Sequence, residues 1–522
     1  MNPSRALPSR RVRALSAALL FLLSAPGLAY AQGDVLTIDF GTVDINTLAN
    51  IHSRLLYRPL DDLTPRAGAR ALGMAGAYLA TAAGPEALAW NPAGLAFSDR
   101  TVIASDLFID RAAGSTSGFP LRFGNDIPQV PPLFVSTYDE NLKSQIRFGF
   151  VGISGSLLSL GGRPLAVGAA YRRHTNLAYP EEVVSQLRFI DGTTTVPLIV
   201  ASDNQESGAL EAATLGLAYQ IVPGFGVGLS ANYLSGIFRS NFGTQVSLPG
   251  GFAESGSGRF ALDYSGFSVE GGARADIGGR LSLGAWVGLP HTIEVTNGSF
   301  RVRSVETPGV PTNVLSARLG GYDLDVPLFY SLGAAVQVTS RLRVSGDFNA
   351  RPWGDADLSY HLPEVAALPN ASDFYPAHDS RSFHFGGEYD LLRKPGYSIP
   401  IRAGFAVIPL TMPNADSSDT LDVALTVIPR IDGTVTVAGG DGDPAFYGEA
   451  TTDAVAFSLG LSLILPDMAF HGGFEARRYE FERLFFESTG ERGFDFLINP
   501  GGSTGTVERL EQILRVSAEY SF

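Results

Sequence analysis

The final stretch of the chain, residues 514–522, alternates strictly between apolar and polar residues and ends on an aromatic side chain. Side chains alternate between the two faces of a β-strand, so this stretch has one apolar and one polar face. The two faces comprise Leu514, Val516, Ala518, Tyr520 and Phe522, and Arg515, Ser517, Glu519 and Ser521, respectively. The pattern is typical of a bacterial outer-membrane strand, with lipid on one side and a wet lumen on the other. A soluble β-sandwich strand would alternate similarly and is the alternative for this stretch alone.

Both ends of the chain predict export. Four arginines precede an apolar run at residues 14–23, which is too short to span a bilayer as a helix, and small residues follow at Ala29 and Ala31. This order predicts a cleaved secretory signal peptide over residues 1–31. At the other end, Tyr520 and Phe522 form the aromatic ending that barrel proteins commonly present to the barrel assembly machinery during biogenesis. The expected location is therefore the bacterial outer membrane.

Alternating segments recur along the chain and predict an all-β fold. The clearest is a hairpin at residues 213–236, in which Pro223 and Gly224 connect two strands whose apolar residues share one face. Strands are expected to begin near residues 101, 145, 164, 212, 225, 259, 280, 326, 341, 381, 399, 453, 468 and 512. Their even number predicts a closed antiparallel transmembrane β-barrel of about fourteen strands over residues 101–522. Long connections, including those near 111–142 and 174–209, are expected on the outer side.

The composition excludes several function classes. The chain is acidic, with a formal net charge of −14, so its surface repels phosphate backbones and no nucleic-acid partner is expected. It has no cysteine, which excludes a disulfide framework and a thiolate zinc site. The seven histidines show no metal-ligand spacing and no nucleophile elbow occurs, so no metal, no cofactor and no enzymatic activity are expected.

The segment before the first barrel strand is expected to fill the lumen. A fourteen-strand barrel is too wide for its own side chains to fill, so an empty bore would leak. Residues 32–100 do not alternate and are rich in Ala and Gly between residues 67 and 94, a composition that packs closely against a glycine-lined wall. We therefore predict an N-terminal hatch, or plug, over residues 32–100.

Two short motifs mark this predicted hatch. Gly73 and Gly76 lie in a Gly/Ala-rich stretch, and the sequence Asn91-Pro92-Ala93-Gly94 follows it. Pro92 fixes its own φ and biases the preceding residue toward an extended conformation, while Gly94 can take a positive φ, so a rigid reversal is expected. An ordinary helix-ending turn is the alternative for this tetrapeptide.

With these motifs the chain resembles the FadL-type outer-membrane transporters of long-chain fatty acids and aromatic hydrocarbons, including their PorV-like relatives. These proteins carry an Asn-Pro-Ala(-Gly) motif just before the first strand. The resemblance implies passive uptake of hydrophobic molecules, fatty-acid-like or aromatic, through a plugged barrel with lateral release into outer-membrane lipid. It also implies an alternative, in which the barrel is a PorV-like component of a protein secretion or surface-assembly system.

Two sets of side chains are candidates for the site. Apolar hatch residues could contact the ligand, although packing within the hatch explains them equally well: Met74, Tyr78, Leu88, Trp90, Leu95 and Phe97. Charged residues on lumen-facing positions form the second set: Arg343, Asp347, Glu388, Arg402, Glu475 and Arg515. We expect the charges to pair across strands and hold the hatch. A direct role, such as an arginine pairing with a ligand carboxylate, is the alternative.

Overall fold

The computed structural model describes residues 29–31, 36–38, 66–121, 133–142, 144–177, 181–191, 194–248, 252–303, 314–360, 379–409, 425–429, 435–439, 453–484 and 504–522. Most of the predicted signal peptide and of residues 32–65 lies outside these ranges. The described part of that region is a small antiparallel pair, β1 (Ala29–Ala31) and β2 (Leu36–Ile38). None of the described helices is long and apolar enough to cross a membrane.

The described residues of the main body form a closed barrel of fourteen antiparallel strands, as the alternation predicts. Nine strands are continuous: β3 (Val102–Leu121), β8 (Thr194–Val222), β9 (Phe225–Leu248), β10 (Phe252–Ile277), β17 (Ser380–Lys394), β18 (Tyr397–Pro409), β21 (Asp453–Ile464), β22 (Met468–Leu484) and β23 (Thr504–Ser521). Five are each built from two segments: β4 (Leu133–Leu142) with β5 (Gln145–Leu160), β6 (Arg163–Asn176) with β7 (Glu181–Asp191), β11 (Leu281–Gly288) with β12 (His291–Arg303), β13 (Val314–Val326) with β14 (Phe329–Gln337), and β15 (Leu342–Arg351) with β16 (Asp357–Tyr360). A separate hairpin joins β19 (Leu425–Pro429) to β20 (Val435–Gly439).

The barrel closes between its first and last strands. β23 pairs with β3 from Ser521 opposite Val102 to Glu508 opposite Ser115. The outer surface is apolar, as the period-two pattern predicts: Leu215, Leu229 and Tyr233 are 69%, 62% and 58% exposed. In a membrane protein such side chains contact lipid, so the outside of this cylinder suits a bilayer.

Several strands are much longer than predicted. β8 contains 29 residues, whereas about ten residues suffice for a strand to cross a bilayer. The predictions of long connections near 111–142 and 174–209 are therefore wrong. The outer part of β3 and β4 occupy most of the first stretch, and β7 and the outer half of β8 occupy most of the second. Strand pairing continues there because hydrogen bonds between backbones do not require lipid on one face.

Residues 66–97, called the inner segment below, lie inside the barrel and contain only short helical turns. These turns span Ala69–Leu72, Gly84–Glu86, Ala87–Trp90 and Pro92–Phe97, the first and third being α-helical and the others 3₁₀. Most of the segment is buried, and Leu88 is wholly inaccessible to solvent. Its small side chains allow its backbone to approach the wall closely.

The wall receives the inner segment through glycines that are paired in register across neighbouring strands. Five such pairs face inward in the described residues: Gly168–Gly216, Gly228–Gly272, Gly284–Gly333, Gly386–Gly404 and Gly460–Gly473. A methyl group at any of the ten would lie within 3.1 Å of an atom of the inner segment. A side chain at these positions would therefore displace either the segment or the wall.

A candidate ligand cavity above the inner segment

The Asn-Pro-Ala-Gly motif ties the inner segment to itself and to the wall. Asn91 is extended, with φ −155°, and its Oδ1 accepts from the Ala93 N–H at 3.2 Å. Its Nδ2 donates to the carbonyls of Leu79 (3.4 Å) and Ala273 (3.0 Å). At Gly94, which packs against the carbonyl of Ala82, no side chain fits. Asn91 thus joins two turns of the segment to strand β10.

The other two motif glycines lie where the segment touches the opposite wall. Gly73 packs against Gly460 of β21. Gly76 has a φ of +83°, which favours glycine. Beside it, His384 Nδ1 lies 2.6 Å from the Ala75 carbonyl oxygen, so the imidazole of β17 is within hydrogen-bonding distance of the segment's backbone.

Two lumen carboxylates hold the inner segment directly. Glu388 accepts from Arg70 of the segment through Nε and Nη2, both at 3.0 Å, and from Arg402 of β18 at 2.6 Å. Asp347 Oδ2 accepts the backbone N–H groups of Tyr78 and Leu79, both at 2.7 Å. Each of these carboxyl groups accepts two hydrogen bonds from the segment, so the two sites act as anchors.

The remaining predicted lumen charges make other contacts. Arg343 donates to Gln337 at 3.1 Å rather than bridging to Asp347 on its own strand. Glu475 pairs with Arg477 at 2.5 Å. Arg515 donates to the backbone carbonyl of Arg66 and lies 3.8 Å from Asp106. At the C-terminus, Tyr520 and Phe522 are exposed and stack with their ring centroids 5.8 Å apart.

A buried acid lies within the inner segment. Glu86 is 2% exposed, and the Tyr78 hydroxyl donates to its Oε2 at 3.4 Å. Burial, followed by repulsion from Glu519 and Asp106, raises the pKa of Glu86 to about 8, although Arg70 opposes the shift. The pKa of Tyr78 is raised as well, first by its own burial. The protonation state of Glu86 is therefore linked to the packing of the segment.

Most of the apolar residues predicted as ligand contacts are packing residues of the inner segment. Four are at most 2% exposed: Met74, Tyr78, Leu88 and Leu95. Met74 rests on the backbone of Gly386 and Gly404, while Leu88 and Leu95 fill the space over Gly168 and Gly216. Phe97 lies beneath Arg274, whose guanidinium carbon is 4.3 Å from the ring centroid.

Trp90 differs from these because it borders a cavity. Its Nε1 donates to the Ala67 carbonyl at 2.8 Å, and its ring meets Tyr78 edge-on with centroids 5.8 Å apart. The cavity has a volume of about 160 Å³ and lies between the inner segment and the wall, toward the outer ends of the strands. Four other residues of the inner segment also line the cavity: Arg66, Leu72, Ala75 and Gly76.

The wall side of the cavity contains residues that the sequence analysis missed. Trp286 of β11, Phe329 of β14 and Trp353, which follows β15, contribute rings. The guanidinium of Arg351 lies 5.0 Å from the Trp286 ring and 5.1 Å from the Phe329 ring. The sequence does contain a signal for this cavity, namely its tryptophans. The chain has only three, and Trp90, Trp286 and Trp353 all line the cavity.

Comparison with solved structures identifies the same architecture. A FadL homologue from Pseudomonas aeruginosa aligns with a TM-score of 0.53 at 14% identity, covering 88% of this chain and 99% of that one. The Pseudomonas putida toluene transporter TodX aligns with a TM-score of 0.49 at 14% identity, covering 87% and 98%. No protein-family model matches the sequence. No curated protein matches it either.

The cylinder is closed, its outer surface is apolar, and residues 66–97 of the same chain lie in its lumen. These features define an outer-membrane-type β-barrel whose lumen is packed by a segment that precedes the first barrel strand. Within that class the chain has the FadL-type fold, so the resemblance seen in the sequence is confirmed at the level of the fold.

Proposed function

We propose that the protein is an outer-membrane channel for the passive uptake of small hydrophobic molecules. The observation that carries this proposal is the cavity above the inner segment, which is lined by four aromatic rings from both the segment and the wall. Concave, aromatic-lined sites with a few polar groups are the usual form of small-molecule sites. The FadL-type fold supports the same class, and the relatives in that fold include a protein named as a toluene transporter.

We further propose that the ligand leaves the cavity sideways into lipid. An apolar solute gains about 25 cal/mol for each Å² of its surface that lipid hides from water, so lipid is a better destination than the periplasm. This preference supplies a direction without an energy source or a cofactor.

Three prolines support an exit through three neighbouring barrel strands, which are built from β11 and β12, from β13 and β14, and from β15 and β16. Pro290 separates β11 from β12, Pro327 separates β13 from β14, and Pro352 follows β15. Proline cannot donate to a strand ladder, so each lies where pairing is interrupted. The pairing of β11 with β14 stops at Gly288, which lies opposite Phe329. Pairing resumes between β12 and β13 at His291, which lies opposite Val326.

These interruptions lie at the height of the cavity. Leu289, Phe329 and Trp353, each within two residues of one of the prolines, line it. Leu289 and Leu328 are 44% and 43% exposed, so apolar side chains flank the interruption on the accessible side. We therefore assign the lateral exit to this part of the wall.

Uptake by whole cells tests the function, because toluene dissolves in protein-free liposomes unaided. Entry of radiolabelled toluene is compared for cells that produce the wild type, Trp286→Ala or Phe97→Leu and for a deletion strain. Loss of uptake in Trp286→Ala with retention in Phe97→Leu is expected, because Trp286 lines the cavity and Phe97 packs beneath Arg274. Uptake by the wild type no faster than by the deletion strain would contradict the proposal. Stable co-purification with an export machine in that case would favour the secretion alternative.

A further inference from the structure

We propose that the cavity recognises single-ring aromatic compounds that donate a hydrogen bond, such as phenols, rather than plain hydrocarbons. This inference rests on the proposed function, since it names the ligand class of the same cavity. Three observations carry it: a volume that fits one ring, a lining of aromatic side chains, and hydrogen-bond acceptors in that lining that receive no donor from the described residues.

The volume and the rings of the cavity suit a single aromatic ring. The volume is about 160 Å³, and an apolar protein cavity of about 150 Å³ is known to hold benzene. Trp90, Trp286, Phe329 and Trp353 contribute rings to the lining. Contacts between rings are favoured beyond simple burial of area, so a ligand ring gains an attraction that an aliphatic group of equal size lacks.

Asn349 of β15 places a polar group in the same row of the wall as Trp286. The register puts Trp286 opposite Ser331 of β14, and Ser331 opposite Asn349. Neighbouring strands lie about 4.8 Å apart, so the backbones of Trp286 and Asn349 are about 10 Å apart along the wall. Both side chains line the cavity. A substituent on a ring bound there is therefore within reach of the Asn349 amide.

A chain of hydrogen bonds fixes which end of this amide is free. The Ala75 carbonyl can only accept, so His384 Nδ1 carries the hydrogen in their 2.6 Å contact. In a neutral imidazole Nε2 is then an acceptor, and the Ser382 hydroxyl, 2.9 Å away, donates to it. The Ser382 oxygen therefore accepts from Asn349 Nδ2, at 3.2 Å. The other end of the amide, Oδ1, takes no part in this chain.

Asn349 Oδ1 is thus an acceptor without a donor. No residue in the described part of the chain donates a hydrogen bond to it. It also differs from the enclosed unpartnered atoms of the barrel, because it keeps surface that solvent can reach. An amide oxygen can only accept. A ligand hydroxyl or amino group would supply the missing donor, whereas a methyl or methoxy group would not.

A second group in the lining has the same polarity. His291 of β12 follows Pro290, beside the proposed exit, and its Nδ1 lies 3.1 Å from the Leu289 carbonyl oxygen. That oxygen can only accept, so Nδ1 carries the hydrogen and Nε2 of the neutral ring is an acceptor. Among the described residues, none donates to this Nε2. A donor on the ligand therefore finds acceptors both beside the rings and near the exit.

Binding to the purified full-length barrel tests the proposal. Radiolabelled phenol, anisole and toluene are dialysed to equilibrium at pH 8 against the barrel in lipid nanodiscs, and binding to empty nanodiscs is subtracted. A phenolic hydroxyl and an imidazole are both neutral at this pH, since their ordinary pKa values are about 10 and 6.5. Anisole keeps the ring and the oxygen of phenol without the O–H, and toluene has neither. Each variant is compared with the wild type for the same probe, which cancels the different hydrophobicity of the probes.

Asn349→Leu keeps the size of the side chain and removes the acceptor. Its Kd for phenol should rise about fivefold to tenfold, equivalent to about 1–1.4 kcal/mol. Its Kd values for anisole and toluene should rise by no more than about twofold, which also reports that the cavity is intact.

Ser382→Ala removes the oxygen that orients the amide. The Asn349 side chain is then free to turn its NH₂ group toward the ligand, so the preference for phenol over anisole should fall about threefold or more. Ser380→Ala is the matched control. Ser380 is buried on the same face of β17 but does not line the cavity, so this change should leave both Kd values as in the wild type.

Three results would overturn the inference, and they separate it from the proposed function. Equal changes in phenol and anisole binding in Asn349→Leu, or no change in either, would refute the requirement for a donor and leave hydrophobic uptake standing. An unchanged preference in Ser382→Ala would refute the orientation of the amide. Failure of all three probes to bind the wild type beyond the empty nanodiscs would refute both the ligand class and the cavity as an uptake site.

Discussion

A glycine-to-alanine exchange on β17 should loosen the inner segment from the wall. Gly386 faces the lumen, and a Cβ placed there would lie 2.6 Å from Met74 Cβ and 2.7 Å from the Met74 carbonyl oxygen. Carbon atoms pack best about 3.5–4.0 Å apart, so the segment or the strand would have to move by about 1 Å. Overpacking of this kind costs about 1–3 kcal/mol.

The next residue provides a matched control. Gly387 lies on the same strand but on the opposite face, and the nearest atom to its added Cβ is the Arg343 carbonyl oxygen at 3.8 Å. Gly386→Ala and Gly387→Ala thus make the same chemical change and restrict the unfolded chain equally. The difference between them isolates the contact with the inner segment.

Hydrogen exchange read by mass spectrometry is the appropriate assay. In Gly386→Ala, amides of residues 66–97 should exchange about tenfold to a hundredfold faster, because each 1.4 kcal/mol of destabilisation changes an opening equilibrium about tenfold. Amides of the barrel strands and all amides of Gly387→Ala should keep wild-type rates. Equal protection of the segment in the two variants would refute the inferred contact.

Three further changes test the charges that hold the segment. Asp347→Ala leaves two buried backbone N–H groups without their acceptor, so it should destabilise the segment by about 2–6 kcal/mol in the same exchange assay; wild-type protection would show that Asp347 is not an anchor. Glu388→Gln weakens the pairing with Arg70 and Arg402, and its segment should exchange faster at low salt than the wild type; no difference would exclude an ionic contribution. The raised pKa of Glu86 means that the packed segment binds a proton which the released segment lacks between pH 4.5 and about 8. Its stability should therefore fall as pH rises through that window, and Glu86→Gln should make the slope shallower; an identical pH profile in Glu86→Gln would contradict this assignment.

The architecture of the barrel could be predicted because lipid imposes a period of two on each strand. The alternation of residues 225–233, for example, placed Leu229 and Tyr233 outward, and both are exposed. The outer half of β8 escaped prediction because residues 194–210 show no apolar alternation.

The candidate site could not be predicted from local sequence patterns, because it depends on which strands pair and in which register. Gly228 and Gly272 form a pair only because the register of β9 with β10 places them opposite each other. The cavity likewise joins Trp286 and Trp353, which are distant in the sequence and are brought together by the pairing of β11 with β14 and of β14 with β15. The lumen-facing charges were identifiable from alternation, but their partners in the inner segment, such as Arg70 for Glu388, were not.

Disulfide trapping tests most directly that a segment of the chain occupies the bore. The chain has no cysteine, so a double variant Leu79→Cys with Gly333→Cys has no competing thiols. The Cβ of Leu79 lies 2.9 Å from the Cβ position built at Gly333, close to the 3.5–4.5 Å that a disulfide adopts. Leu79→Cys with Gly472→Cys is the control, since Gly472 has no atom closer than 4.0 Å to its Cβ position. Oxidation in intact outer membranes should cross-link the first pair and not the second; reduced thiols in both, or equal cross-linking of both, would contradict a bore filled by residues 66–97.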